Sequence, residues 1–257
     1  MRLPHCVRND GRFCLSKCES LIHQTHVWYL DPDAKVESGR IKTLVGLLSE
    51  QERAQYQRFH FPEDAHRYLV AHTMVRCALS RYTDIDPGEL EFRHGRNGKP
   101  ALANPGLQSL KFNLTHTRGL AACVINRVDE CGIDAEKIST RHDPVAVAAR
   151  MFSRAEHAEL IQLQGTEQLE YFYSRWTLRE AYVKARGIGL SFPTRKLRFR
   201  IRHAADIDIE FDGSIDDNSE NWMINLWRPG TEHIAAVAVA RQPGVKKALV
   251  VRRFNFK

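Results

Sequence analysis

The sequence predicts an α+β fold built twice: a duplicated pseudo-dimer of two similar α+β halves, with the active site in the cleft between them. Three observations carry that expectation. The pattern S-x-x-E occurs at Ser49–Glu52 and again at Ser153–Glu156. At the same offset, HTMVR (72–76) lies over WTLRE (176–180). The strand-like HTRGLAACVI (116–125) also parallels HIAAVAVA (233–240). Any one match is chance-level, but three in order indicate a repeated unit of roughly 110–125 residues. The expected divisions are an N-terminal tail at 1–25, halves at 26–130 and 131–241, and a C-terminal tail at 242–257.

The elements follow in chain order. HVWYL (26–30) reads as a first strand. Ser49-Glu50-Gln51-Glu52 is a capping box, whose hydroxyl and carboxylate satisfy the free amides of a helix start. Pro62-Glu63-Asp64 opens a second helix, with Tyr68, Leu69, Met74, Val75 and Leu79 at spacings of three and four. LEFRHG (90–95) reads as a strand and Asn97-Gly98 as a turn. LKFNLTHTRGLAACVIN (110–126) reads as strand, turn, strand, and CGIDAEKI (131–138) opens with another strand. A long helix then carries WTLREAYVKAR (176–186).

Composition narrows the class. Of 257 residues, 43% are hydrophobic and 27% charged, which suits a soluble globular protein. No run of about 18 apolar residues occurs, so no membrane span is expected. The N-terminus is polar and lacks the apolar centre of a secretory signal, which points to a cytoplasmic setting with reduced thiols. Cys6, Cys14 and Cys18, with His5, His23 and His26, contain no C-x-x-C pair, so a zinc site is not favoured. Cys77 and Cys123 lie in apolar runs and read as small core residues. A net charge of +7 favours an anionic partner: nucleic acid, a polyphosphate cofactor or an acidic protein. The basic residues are dispersed rather than gathered into one patch, which weakens the first.

The chemistry-bearing residues lie in the second half. Asp134 and Glu136 are alternate residues of a strand, so both carboxylates project from one face. Like charges that close repel unless water or a cation relieves them. With Glu180 they make an all-oxygen set suited to Mg²⁺, against the plain reading of a solvated strand end. Glu180 and Lys184 stand one helical turn apart, which alone is a surface ion pair. In the repeat as aligned, Glu180 replaces Arg76 of the first copy. Gly187 and Gly189 then end the helix without side-chain bulk. Trp176 reads as packing between helix and sheet. In the first half, Lys99 follows a turn and offers a point charge to a phosphate. Asn113, Thr115 and His116 add donors for phosphate oxygens.

Together GRNGKPAL (95–102), FNLTHT (112–117), GIDAEK (132–137) and WTLREAYVKARGIGLS (176–191) resemble the 4′-phosphopantetheinyl transferases of the Sfp type. LLSEQERAQYQRFHFPEDAHRYLVAHTMVR (47–76) resembles their N-terminal half, and the likeness spans about residues 27–241. The resemblance implies a first half that binds coenzyme A and a second that binds Mg²⁺ and catalyses. The implied reaction moves 4′-phosphopantetheine from coenzyme A to a serine of an apo acyl or peptidyl carrier protein, releasing adenosine 3′,5′-bisphosphate. It places Asp134, Glu136 and Glu180 on the metal and Lys99, Thr115 and His116 on coenzyme A. Lys184 falls beside the reacting phosphate, and Glu180 is also the general base. Arg179 stands where the family usually has lysine, and Thr115 where it usually has serine. Gln55 stands where a basic residue often holds the 3′-phosphate, leaving Arg53, Arg58 and Arg67 as substitutes.

The other class weighed is a basic, non-catalytic module for nucleic acid or an acidic protein. Three convergent acids speak against it, because nucleic-acid grooves avoid them. The resemblance therefore implies a monomer whose partners are coenzyme A and a carrier protein, with no nucleic acid and no membrane. Arg186, Arg195, Lys196 and Arg198, near the GIGL exit, are the expected basic contacts for the carrier.

Overall fold

A computed structural model describes residues 15–189, 191–241 and 247–256. The chain divides into two compact units, Met1–Val128 with Lys246–Lys257, and Asp129–Val245.

The first unit runs β1 (Gln24–Leu30), α1 (Ser38–Leu47), α2 (Glu50–Gln57), α3 (Pro62–Ser80), β2 (Phe92–His94), β3 (Pro100–Leu102), β4 (Leu110–Thr117) and β5 (Leu120–Arg127). The second runs β6 (Cys131–Lys137), α4 (Pro144–Met151), α5 (Arg154–Leu160), α6 (Gly165–Arg186), β7 (Leu197–His203), β8 (Asp206–Phe211), β9 (Trp222–Trp227) and β10 (His233–Ala240). β11 (Ala248–Arg253) returns to the first unit, where the sheet order is β11-β1-β5-β4. The second unit has a sheet ordered β6-β10-β9. Each unit adds a two-stranded hairpin, β2-β3 or β7-β8. The order strand, helices, hairpin, two strands is thus the same in both.

Local chemistry explains the helix starts. Ser49 Oγ accepts from Glu52 N at 3.2 Å while Glu52 Oε2 accepts from Ser49 N at 2.8 Å. Ser153 and Glu156 repeat the box at the head of α5. Pro62 and Pro144 occupy first-turn positions, where a missing amide costs nothing. Gly187 closes α6 at φ 62°, a left-handed cap that glycine adopts without strain. The turns expected at Asn97-Gly98 and between β4 and β5 form around Gly98 (φ 82°) and Gly119 (φ 81°).

α3 packs Met74, Ala78 and Leu79 into the first core with Leu110, Phe112 and Ile125 of the sheet. The second unit buries Leu178, Tyr182 and Phe199 with β9 and β10, and a second cluster joins Phe152, Leu160 and Phe172.

The sequence reading leaves residues 1–25 and 242–257 as tails, and the described parts of both depart from that. Leu15–Ile22 forms a 3-10 helix that buries Cys18 and Leu21 fully. β11 pairs parallel with β1, from Gln24 opposite Ala248 to Tyr29 opposite Arg253, and Phe254 enters the core. The outer edge of β1 offers unpaired amides and carbonyls, and an apolar LVV segment satisfies them. Cys18 donates to Tyr82 O at 3.0 Å and His26 joins a buried network. His5, Cys6 and Cys14 lie outside the described residues.

The repeat also registers differently from the alignment read in sequence. Arg76 and Arg179 are both essentially buried, and each pairs with the capping-box glutamate of its own unit, Glu52 or Glu156. Four residues earlier His72 stacks on Tyr68, and Arg175 lies over Tyr171, at matching spacing. By role, then, Arg76 corresponds to Arg179, and Cys77 rather than Arg76 stands where Glu180 does. Thr73 and Thr177, which align by type, hid the shift of one, whereas the buried arginine–glutamate pairs set the correspondence.

Candidate active site

In the second unit one strand and one helix gather the predicted acids. Asp134 is buried in β6, and its Oδ1 accepts from Lys184 Nζ at 2.6 Å. Glu136 follows on the same face of β6, and Trp176 Nε1 donates to its Oε1 at 3.1 Å. Glu180 lies on α6 between Trp176 and Lys184, so one face of that helix supplies an indole, a carboxylate and an ammonium.

Gly132 makes this possible. A Cβ there would stand 2.2 Å from Ala181 O and 2.3 Å from Ala185 N, so the backbones of β6 and α6 touch where any side chain would wedge them apart. The approach brings the helix residues that flank Ala181 within reach of Asp134.

The electrostatics match the crowding. Burial pushes Glu136 up to about 7, Asp134 adds to the rise, and the Trp176 hydrogen bond and Lys184 pull against it. Glu180 is also held above the usual carboxylate range, by burial first and by Asp134 next. Glu136 and Glu180 thus both feel the charge of Asp134, a repulsion that an unrelieved cluster cannot avoid. Among the described residues, no three His, Cys, Asp or Glu side chains stand as a finished metal cage. The set is all-oxygen, partly buried and short of positive charge, and that chemistry fits a hard divalent cation.

The first unit presents its predicted residues separately. Thr115 is buried and His116 exposed on adjacent positions of β4, so their side chains take opposite faces of the strand. Lys99, half-buried, lies just before β3, and its carbonyl accepts from Gly95 N at 2.9 Å. Arg67 is committed to Asp33 at 2.7 Å and Asp64 at 2.5 Å. A cavity of about 920 Å³ opens within this unit, lined among others by Gln55, Tyr68, His72, Gly98 and Phe112.

Of the expected carrier contacts, Arg186 pairs with Asp217 at 2.5 Å and Arg198 with Glu159 at 2.7 Å. Lys196 donates to Ser214 Oγ at 2.6 Å, and Arg195 is exposed. Arg154 joins Arg195, Lys196 and Arg198 around a cavity of about 690 Å³. Leu190 of the GIGL exit lies outside the described residues.

Sequence reasoning missed three contributors: Gly132, the Trp176–Glu136 hydrogen bond and the buried Glu156–Arg179 pair. A glycine inside a strand signals close backbone approach, so the first was readable. The capping box flagged Glu156 only as a cap.

Comparison with known proteins completes the assignment. Residues 130–238 match the family model of the 4′-phosphopantetheinyl transferase superfamily, and residues 36–126 that of the 4′-phosphopantetheinyl transferase N-terminal region. The chain is 33% identical to the 4′-phosphopantetheinyl transferase HetI of a Nostoc species, over 66% of this chain and 72% of that one. It is 32% identical to the 4′-phosphopantetheinyl transferase Sfp of Bacillus subtilis, over 72% of this chain and 80% of that one. A solved holo-(acyl-carrier-protein) synthase from Bacillus anthracis superposes at TM-score 0.34 and 20% identity, over 43% of this chain and 94% of that one, a likeness too slight to carry weight. The two relatives agree over most of the chain, and this protein belongs to the Sfp-type 4′-phosphopantetheinyl transferases and is an enzyme of that kind.

Proposed function

We propose that the enzyme transfers 4′-phosphopantetheine from coenzyme A to a serine hydroxyl of an apo acyl or peptidyl carrier protein and releases adenosine 3′,5′-bisphosphate. The observation that carries this reading is the Asp134–Lys184 pair beside two acids, Glu136 and Glu180, both held above the usual carboxylate range. Phosphoryl transfer asks a protein for positioning and charge compensation more than for covalent help, and this cluster offers both.

Asp134, Glu136 and Glu180 are the residues that would hold Mg²⁺. Bound there, the cation supplies charge neutralisation on the pyrophosphate. Glu180, its proton affinity raised by burial and by Asp134, takes the serine proton directly or through a water. The serine oxygen then bonds to the phosphorus that carries pantetheine. The bond from that phosphorus to its bridging oxygen breaks, and adenosine 3′,5′-bisphosphate leaves with the electron pair. Lys184 directs its ammonium at charge building on the transferred phosphate. Trp176 fixes the Glu136 carboxylate by hydrogen bond and stacks on Phe172 at 5.9 Å.

Coenzyme A falls to Lys99, Thr115 and His116 in this proposal, with Lys99 beside the cavity of the first unit. Arg67 joins them at the 3′-phosphate only by exchanging its aspartate partners. The proposal includes the pseudo-dimeric arrangement of the family, a coenzyme-binding half and a catalytic half enclosing the active site, and the repeated element order supports it. A duplicated chain supplies its own partner half, so the active form is proposed as a monomer, cytoplasmic and independent of nucleic acid and membrane. No helix among the described residues is long and apolar enough to cross a membrane.

Incubation with coenzyme A, Mg²⁺ and a panel of apo carrier proteins, read by mass spectrometry, tests the reading. One carrier serine should gain a single phosphopantetheine. A panel spanning fatty-acid, polyketide and peptide carriers with no mass gain would overturn it.

A further inference from the structure

We propose that Arg179 is a positioning residue: locked to Glu156 and to the start of β7, it fixes the rotation of α6 and so aims Glu180 at β6. The inference rests on the transferase reading and adds to it a device that no metal or substrate touches.

The latch ties together α5, α6 and β7. Glu156 is fully buried, and its Oε2 accepts from Ser153 N at 3.2 Å and Ser153 Oγ at 2.7 Å. The other oxygen accepts from Phe199 N at 3.0 Å, tying α5 to β7. Arg179, 1% exposed, donates Nη2 to Glu156 Oε2 and to Leu197 O, the latter at 3.0 Å. Its guanidinium lies 4.2 Å from the Phe152 ring centre. Consecutive residues of a helix project about 100° apart. Seating Arg179 between α5 and β7 therefore turns Glu180 toward β6, the strand that Trp176 and Lys184, one turn before and after it, reach by hydrogen bonds to Glu136 and Asp134.

The first unit supplies the internal control. Arg76 pairs with Glu52 in the same way and donates to Pro87 O and Leu90 O at 2.8 and 3.0 Å. Its next residue is Cys77, so that latch has no carboxylate to aim.

The test uses the full-length chain and three measurements: thermal midpoint, Mn²⁺ binding by calorimetry with coenzyme A present, and steady-state transfer. The double variant Glu156→Gln/Arg179→Met removes both charges together, so neither is left buried alone. Groups that orient a metal-binding shell are typically worth 10–100-fold in metal affinity or activity. The double variant, measured well below its melting temperature, should lose about tenfold or more in both Mn²⁺ affinity and kcat, with KM for the carrier little changed. Arg179→Lys, which keeps the charge, should stay within about threefold of wild type. Arg76→Met should lower the thermal midpoint and leave Mn²⁺ affinity unmoved. A folded double variant with wild-type Mn²⁺ affinity and kcat overturns the proposal. If it does not fold, Glu156→Gln/Arg179→Gln is read the same way, and if neither folds the pair serves the fold alone and the positioning claim fails. A wild-type protein without transfer or cation binding would instead overturn the functional reading.

Discussion

The strand faces that meet the long helices, Ala121, Cys123 and Ile125 of β5 and Ile234, Ala236 and Ala238 of β10, set the two units side by side, residue for residue. Strand register then places His26 of β1 opposite Gly132 of β6, and Trp28 opposite Asp134. The same register matches Leu30 with Glu136, while on the long helices Cys77 stands for Glu180. One architecture thus carries a strand crowded with side chains in one copy. In the other it carries a glycine that lets the helix backbone descend and acids that face it. The two copies thus differ in chemistry at a few positions, with bulk in the first where the second has glycine and acids.

The largest break in that comparison is removal of the acids. Asp134→Ala and Glu180→Gln should each lower kcat by on the order of 10²–10⁴, the usual worth of a general base or charge-stabilising group. Glu180→Gln should leave the coenzyme A dissociation constant within a few-fold, because it acts in the transition state. Cys77→Ala, at the matching site of the first unit, should leave kcat within about twofold. Equal losses from Cys77→Ala and Glu180→Gln would dissolve the distinction between the copies.

The reciprocal exchange comes next. Gly132→Val installs bulk, which the first unit carries at this register, where even a Cβ meets Ala181 O at 2.2 Å. Overpacking of a core typically costs about 1–3 kcal/mol, and here backbone must move. Transfer should fall more than stability, as Lys184 is lifted from its 2.6 Å contact with Asp134. His26→Gly should lower the thermal midpoint alone. A Gly132→Val enzyme with unchanged kcat would show that the close approach is packing without function.

Much of this was legible in sequence because it rests on local rules. Capping boxes declare themselves through residue spacing, so Ser49–Glu52 and Ser153–Glu156 were placed correctly. Alternation placed Asp134 and Glu136 on one strand face, and helical spacing placed Glu180 above Lys184. What escaped depends on long-range partners. Nothing near Arg179 names Glu156, and β11 pairs with β1 across nearly the whole chain. Neither composition nor period reports such closures. The shift that pairs Arg76 with Arg179 was invisible for a related reason: the distant glutamate partner, not the local alignment, sets the correspondence.

A third contrast lies in protonation. His26 Nδ1 lies 2.6 Å from Tyr82 Oη, which also accepts from Trp28 Nε1 at 2.8 Å, and His26 Nε2 lies 2.8 Å from Gln24 Oε1. Burial, with Arg252 adding to it, lowers His26 to about 4. A depressed histidine binds fewer protons folded than unfolded between about 4 and 6.5, so stability is full above that window and falls as pH drops through it. The thermal midpoint should therefore decline from pH 6.5 to 4, and His26→Gln should flatten part of the slope. By NMR the His26 ring should stay neutral in folded protein at pH 5.5. A ring that titrates near 6.5 in the native state would refute the account. The second unit, with Gly132 at this register, has no such group to lose.

The smallest effect is expected where the first unit hands the chain to the second. Val128 holds φ 75°, the left-handed region that β-branched residues avoid, and is 52% exposed. Its amide donates to Ser109 O at 2.6 Å, which keeps the turn closed. A non-glycine residue pays roughly 1–2 kcal/mol in that region, and glycine gives back about 0.5–1 kcal/mol in unfolded-chain entropy. Val128→Gly should thus stabilise the protein by about 0.5–1 kcal/mol and raise the thermal midpoint by a few degrees at most. Its side chain lies outside both cores, so kcat and Mn²⁺ affinity should not move. That silence is the informative half of the experiment. If relaxing the connector altered transfer, the catalytic asymmetry could no longer be confined to β6 and α6, and the strained valine would belong to the mechanism.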